Sequence, residues 1–154
     1  GQAIVMEYNL LNLGRGAVVG LVISLPLLLL ARDALESTSA RLFPLTSLAV
    51  LFQNAVLLPV PIEGLYYRGV LQRERGLVAA ALLYGLGQGI IFLPGLGGFP
   101  VVLAAVVLAA ALLGFVYSYV CQRYGLSASI SCHATVNLVL FFLPLALGRW
   151  LSAT

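Results

Sequence analysis

Apolar residues run along this chain in long stretches that are separated by short polar interruptions. A helix needs about 20 residues to cross the hydrocarbon core of a bilayer. The pattern predicts five helices of that length, at 15–32, 43–72, 77–93, 99–122 and 126–147. The second is long enough to contain a kink, because Pro59 and Pro61 each remove an amide donor in mid-run. Short loops are predicted between the helices, at 32–41, 73–76, 94–100 and 123–125.

Composition sets the class of protein, since 62% of the 154 residues are hydrophobic and 8% are charged. A soluble domain carries about 25% charged residues. The apolar runs also lack the two-residue alternation of a barrel strand. We therefore expect an all-α integral membrane protein, a bundle of about five transmembrane helices. The eight basic residues are all arginines and form no cluster, so nucleic acid is not an expected partner.

The chain is predicted to be one transmembrane domain, 15–154, after an N-terminal segment, 1–14. That segment has no basic residue, so the first apolar run is expected to be a retained span and not a signal peptide. The arginines near helix ends divide four to three between the two sides: Arg15, Arg73, Arg75 and Arg123 against Arg32, Arg41 and Arg149. This small majority favours a cytoplasmic N-terminus.

Four polar side chains, Glu63, Gln88, His133 and Asn137, lie inside these apolar stretches. An ionisable group in lipid costs roughly 2.5–3.5 kcal/mol on insertion scales, which makes it a functional-site hypothesis. His133 and Asn137 are four residues apart and share a helix face, as do Tyr84 and Gln88. A single such residue indicates only an interhelical hydrogen bond. All four together predict an interior site.

Arg68 follows Glu63 by five residues on the same predicted helix. In an α-helix this spacing points the two side chains about 140° apart, so we expect them to face different partners. Arg68 is either a side chain that extends to the membrane interface or a structural tether to another helix. Small-residue spacings, such as Gly85 with Gly87 and Ala105 with Ala109, suit close helix packing.

Three segments carry a recognisable pattern in order along the chain: 68–71, 83–88 and 133–137. They resemble the motifs of the CPBP intramembrane proteases, also called the Abi or type II CAAX prenyl protease family. Those motifs are E-E-x-x-x-R before a glycine, F-x-x-x-H, and H-x-x-x-N/D, on successive helices. The resemblance covers about residues 50–145 and implies a family core at about 43–147. It also implies a multi-pass protein of a prokaryotic-type inner or thylakoid-like membrane.

The resemblance implies catalytic positions at Glu63, Gln88, His133 and Asn137, with Arg68 structural. Glu63 would be the base that activates water, and His133 and Asn137 would stabilise the oxyanion. Two positions depart from the family pattern, because the second glutamate is Gly64 and the motif-two histidine is Gln88. An amide does not take up a proton near neutral pH. Losing one acid–base partner costs about 10²–10⁴ in rate, so impaired catalysis is expected.

No cofactor or metal is expected, because glutamine is a poor zinc ligand and only Glu63 and His133 are suitably placed. Three functions stay open. The first is an accessory or scaffold subunit that binds another integral membrane protein. The second is an active glutamate-dependent intramembrane endopeptidase that processes a membrane-embedded CAAX-type or bacteriocin-type peptide. The third is a pigment-binding or small transporter-like subunit, with His133 as an axial ligand of a macrocycle.

Overall fold

The computed structural model describes residues 9–43 and 47–153, and the side chains of all of these except 151–153. It has four long helices: α1 (Leu10–Leu42), α2 (Leu48–Leu96), α3 (Pro100–Tyr124) and α4 (Leu126–Trp150). Each is long and apolar enough to cross a membrane, and the described residues form no strand. The predicted all-α membrane fold is confirmed. Most of the predicted N-terminal segment, residues 1–8, lies outside the described residues.

The second helix, α2, is folded back on itself at Gly76. This residue has φ 84° and ψ 170°, a left-handed conformation that favours glycine. The two limbs, 48–75 and 77–96, run antiparallel, because the rings of Tyr67 and Tyr84 meet across the corner with centroids 5.2 Å apart. Each limb has the length of a membrane span. The structure therefore contains five membrane-length segments, as the hydrophobic pattern predicts.

Gly125 makes a second corner of the same kind, with φ 92° and ψ 172°, between α3 and α4. Here the ring of Tyr117 stacks on that of His133, at 4.6 Å between centroids. Both corners border one cavity and so lie at the same end of the bundle. The molecule is thus built from two helical hairpins, each closed by a single glycine, with α1 packed against the last helix.

Aromatic side chains hold arginines at the two ends of this bundle. At the end with the glycine corners, the guanidinium of Arg15 lies 5.5 Å from the ring centroid of Tyr124. At the opposite end, the guanidinium of Arg41 lies 4.2 Å from the ring centroid of Phe99. The division of arginines into two sets agrees with these contacts.

Glycines allow the helices to approach closely. A Cβ atom on Gly85 would lie 2.7 Å from the Ala111 side chain of α3, and one on Gly20 would lie 2.8 Å from the Cys132 carbonyl oxygen of α4. Close packing at Gly85 is therefore confirmed. The prediction is wrong for Ala105 and Ala109, which line an open cavity instead of a helix contact.

Residues 32–41, predicted as a loop, continue α1 as helix. The prediction is wrong because charged residues end a lipid-crossing stretch without ending a helix. The non-helical backbone of Ala31 (φ −131°, ψ 28°) bends the helix before this extension. Ser39 then fastens the extension to α4, since its hydroxyl donates to the carbonyl of Leu140 at 3.4 Å.

Three segments are π-helical: 53–57 and 64–71 in α2, and 138–142 in α4. A π-helical turn carries i→i+5 hydrogen bonds and is wider than an α-helical turn. The first segment ends two residues before Pro59, and the amide of Leu58 donates to the Gln53 carbonyl at 3.0 Å. The irregularity predicted at the prolines thus takes the form of a widened turn. The other two segments begin directly after Glu63 and Asn137.

Candidate functional site

The carboxylate of Glu63 is the centre of a polar cluster between the two hairpins. Across the first hairpin it accepts hydrogen bonds from the side chains of Gln88 and Tyr84. From the second hairpin, Nε2 of His133 approaches one carboxylate oxygen to 3.7 Å. The Glu63 side chain is 13% exposed. The structure therefore brings together three of the four predicted site residues, and adds the tyrosine that shares a helix face with Gln88.

His133 is enclosed, with 1% of its surface exposed. Its Nε2 shares a hydrogen bond with the hydroxyl of Tyr84 at 3.1 Å. One face of the ring stacks on Tyr117, with an interplanar angle of 22°. Its Nδ1 has no hydrogen-bond partner among the described residues. The imidazole is thus held by two tyrosines, of which Tyr117 was not predicted from the sequence.

Asn137 has a different partner from the other predicted site residues. Its Nδ2 donates to the main-chain carbonyl of Ala55 at 2.8 Å. In an α-helix that carbonyl would accept from residue 59, but Pro59 has no N–H. Asn137 thus joins α4 to α2 at a carbonyl that lacks its regular α-helical donor.

Arg68 is buried inside the bundle, with 2% of its surface exposed. Its guanidinium lies over the rings of Tyr84 and Tyr117, at 4.4 and 4.9 Å from their centroids. Its Nη1 also donates to the main-chain carbonyl of Glu63 at 3.5 Å. The expectation that Glu63 and Arg68 face different partners is wrong, since both contact Tyr84. The reason is the π-helical backbone of 64–71, which brings residues five apart onto one face.

A cavity of about 370 Å³ opens beside this cluster. The rest of its wall is mainly apolar, and its polar lining is provided by Thr38, Asn54, Glu63, Tyr84, Gln88 and Asn137. Asn54 was not predicted from the sequence, although an amide inside an apolar run is the same kind of signal as Gln88. His133 does not line the cavity.

The cavity is open between α1 and α3. Both helices contribute to its wall, including Ala34 from α1 with Ala105 and Ala109 from α3, and these three residues are exposed. The two helices touch each other little, because α1 packs on α4 instead. At that contact, a Cβ on Gly16 would meet the main chain of Ala128. A segment lying in the membrane could therefore reach the cavity from the side.

Among residues 9–43 and 47–153, no group of three or more His, Cys, Asp or Glu residues is placed to hold a metal ion. The axial-ligand hypothesis for His133 gains no support, since Tyr84 and Tyr117 occupy its surroundings and it has no surface on the cavity.

Fold and site together describe an all-α, multi-pass membrane protein with a buried carboxylate at the wall of a side-opening cavity. The family model for type II CAAX prenyl endopeptidase Rce1-like proteins matches residues 44–139, more than half of the chain. The chain belongs to this family, as the motif resemblance implies. The matched range contains all four predicted site residues. No curated protein and no solved structure matches the chain.

Proposed function

We propose that this protein is a catalytically impaired member of the family. In this proposal it acts as an accessory or scaffold subunit, holding a segment of another integral membrane protein in its cavity. The observation that carries the proposal is Gln88. Its amide hydrogen bonds to Glu63 at the position where the family motif has a histidine. An amide neither accepts nor delivers a proton near neutral pH.

The two residues implied as oxyanion donors are both engaged inside the protein. The Asn137 amide donates to the Ala55 carbonyl, and His133 Nε2 is bonded to Tyr84 away from the cavity. An oxyanion donor must be aimed at the position where the charge develops. The present arrangement therefore favours a structural use of both side chains.

Packing at Gly64 supports the same proposal. A Cβ atom there would lie 2.7 Å from Cγ1 of Ile130, so the space of the missing glutamate is filled by an apolar side chain. Ile130 must move before any side chain can occupy position 64. The departure from the motif is thus accommodated by its surroundings, as expected in a protein that no longer uses that acid.

The cavity suits a peptide segment more than an unbroken helix. Non-helical main chain at membrane depth needs partners for its N–H and C=O groups. Glu63 and Asn54 can accept and donate such bonds from the cavity wall, while the apolar wall accommodates side chains. The occupant we propose is an extended or locally unwound segment of a membrane-embedded partner.

The test is isolation of the protein from its native membrane in mild detergent, followed by mass spectrometry of co-migrating chains. A stoichiometric membrane protein is the expected result. Ala105→Leu fills the cavity mouth and should release that partner. Ala104→Leu is the matched control, since Ala104 is an exposed neighbour on the same helix that does not line the cavity. A lone particle, or equal effects of the two changes, contradicts the proposal.

An active endopeptidase is the second candidate, favoured by the position of Glu63 on the cavity wall with His133 Nε2 at 3.7 Å. Its test is cleavage of a farnesylated CAAX peptide by the protein in lipid nanodiscs. Cleavage that is lost in Glu63→Gln would establish this function. No cleavage, or cleavage that persists in Glu63→Gln, rejects it.

A further inference from the structure

A second cavity, of about 410 Å³, lies at the end of the bundle where the two glycine corners meet. Residues Gly76 and Gly125 form part of its wall, and the polar lining comes from Arg68, Gln72, Arg73 and Gln122. No acidic residue lines it. The cavity is therefore a polar, cationic space and differs in character from the mainly apolar one beside Glu63.

Arg68 lines this cavity and does not line the one beside Glu63. It is 2% exposed, yet its Nε and Nη2 have no hydrogen-bond partner among the described residues. Its Nη1 donates to the Glu63 carbonyl at 3.5 Å, and the hydroxyl of Tyr84 is a further oxygen neighbour of the guanidinium. The faces of the tyrosine rings attract the charge of the guanidinium, but a ring face is not a strong acceptor for its N–H groups. Burying a cation whose N–H donors have no partner costs folding free energy unless an anion binds to it.

The charges of Glu63 and Arg68 attract each other, but no carboxylate among the described residues forms a salt bridge with Arg68. Position 64, one turn before Arg68, is a glycine packed against Ile130. The carboxylate of Glu63 is turned towards Gln88, Tyr84 and His133. Glu74 is exposed and does not line the cavity.

Gln72 and Arg73 are two further polar side chains in the wall of this cavity. The Nε2 of Gln72 donates to the Ser118 carbonyl at 3.0 Å, which fixes this side chain at the cavity wall. Arg73 is exposed and adds a second guanidinium that can reach inwards from the surface. Guanidinium groups match tetrahedral oxyanions through paired N–H donors. Cationic pockets between transmembrane helices are suited to phosphate head groups.

We propose that this cavity binds a phosphate group, carried by an anionic phospholipid or present as free phosphate. The phosphate oxygens accept from the unused donors of Arg68 and from Arg73. The site is at the bundle end that carries Arg15, Arg75 and Arg123 as well, so a head group can approach it along an attractive surface. This proposal does not depend on the function proposed for the cavity beside Glu63.

The test uses the full chain in nanodiscs of neutral phosphatidylcholine. One arm adds phosphatidylglycerol and follows retained lipid by native mass spectrometry. The other adds inorganic phosphate, with sodium chloride at matched ionic strength, and follows the unfolding temperature. Saturable binding of phosphatidylglycerol identifies a lipid head group as the ligand. If only inorganic phosphate shows saturable binding, the ligand is free phosphate. Either result supports the phosphate site, and no saturable binding in both arms overturns it.

Arg73→Gln and Arg75→Gln form the matched pair of variants. Both residues are exposed and lose the same charge, but only Arg73 lines the cavity. Arg73→Gln should weaken phosphate binding by about tenfold or more, and Arg75→Gln should leave it nearly unchanged. Equal effects of the two changes would show general surface attraction and reject the site. Arg68→Gln should abolish binding, but the Arg73 and Arg75 pair decides the question even if that variant does not fold.

Discussion

At the scale of single residues, Asn137 couples two helices through one hydrogen bond to the Ala55 carbonyl, whose regular α-helical donor is missing because residue 59 is proline. Asn137→Ala should lower the free energy of unfolding by about 1–3 kcal/mol, because the buried Ala55 carbonyl would lose this hydrogen bond. The measurement is thermal or denaturant unfolding in mild detergent. Asn54→Ala is the control, since Asn54 lines the same cavity but is exposed. Equal losses of unfolding free energy in both variants would show that the hydrogen bond to Ala55 does not stabilise the fold.

Gln88 is the residue at which a proton acceptor can be restored. Gln88→His places an imidazole beside Glu63 at the cavity wall. If the cavity still admits a peptide, cleavage of a farnesylated CAAX peptide should rise by about 10²–10⁴ over the unchanged protein. The gain should disappear when Glu63→Gln is added. Position 64 is left as glycine, because a glutamate there would collide with Ile130.

An inactive Gln88→His protein that folds and keeps its unfolding temperature would contradict the idea that this amide is the main obstacle to hydrolysis. The engaged side chains of Asn137 and His133 would then be the stronger cause. The two outcomes separate a missing proton carrier from a missing oxyanion site.

The sequence was informative about single residues wherever a polar side chain interrupts an apolar run. That rule found Glu63, Gln88 and His133, which the structure brings to one cluster. It did not find Tyr117, because a tyrosine in a membrane helix is ordinary and its stacking on a histidine depends on how two helices pack. Whether the clustered residues act in catalysis stays a prediction.

At the scale of helices, the corner at Gly125 requires a backbone conformation that favours glycine. Gly125 has φ 92°, and an added Cβ would meet no atom within 4 Å, so only main-chain strain opposes a side chain. Gly125→Ala should therefore cost about 1–3 kcal/mol of unfolding free energy. Gly98→Ala is the control, because Gly98 also has open space around it and no positive φ. A Gly125→Ala protein as stable as Gly98→Ala would refute this explanation of the corner.

The hydrophobic pattern predicted the number of membrane-length segments but not the local shape of the backbone. Hydropathy marks where lipid contact ends, so residues 32–41 were predicted as a loop although they continue α1. The π-helical turns at 53–57 and 64–71 depend on prolines and on partners from other helices. Assuming a regular helix placed Arg68 on the wrong side of Glu63. The error came from assuming α-helical geometry for residues 64–71, which are π-helical.

At the scale of the whole molecule, the two sets of arginines define the ends of the bundle. The positive-inside rule then predicts that the glycine corners and the N-terminus are cytoplasmic. In a background with Cys121 and Cys132 replaced by serine, Arg75→Cys should react with an impermeant maleimide from the cytoplasmic side. Asp33→Cys should react from the opposite side. The reverse pattern would invert the predicted orientation.

The two-hairpin architecture has a consequence for biosynthesis. Gln88 and Tyr84, which hydrogen bond to Glu63, belong to the same hairpin as that acid, whereas His133 is synthesised later. The first hairpin can thus leave the translocon with its carboxylate already satisfied, before the second hairpin exists. We expect Gln88→Leu to reduce membrane integration of a chain truncated after residue 96, measured by glycosylation mapping. Unchanged integration would mean that the acid enters the bilayer without this help, and that the glutamine is retained for the folded protein alone.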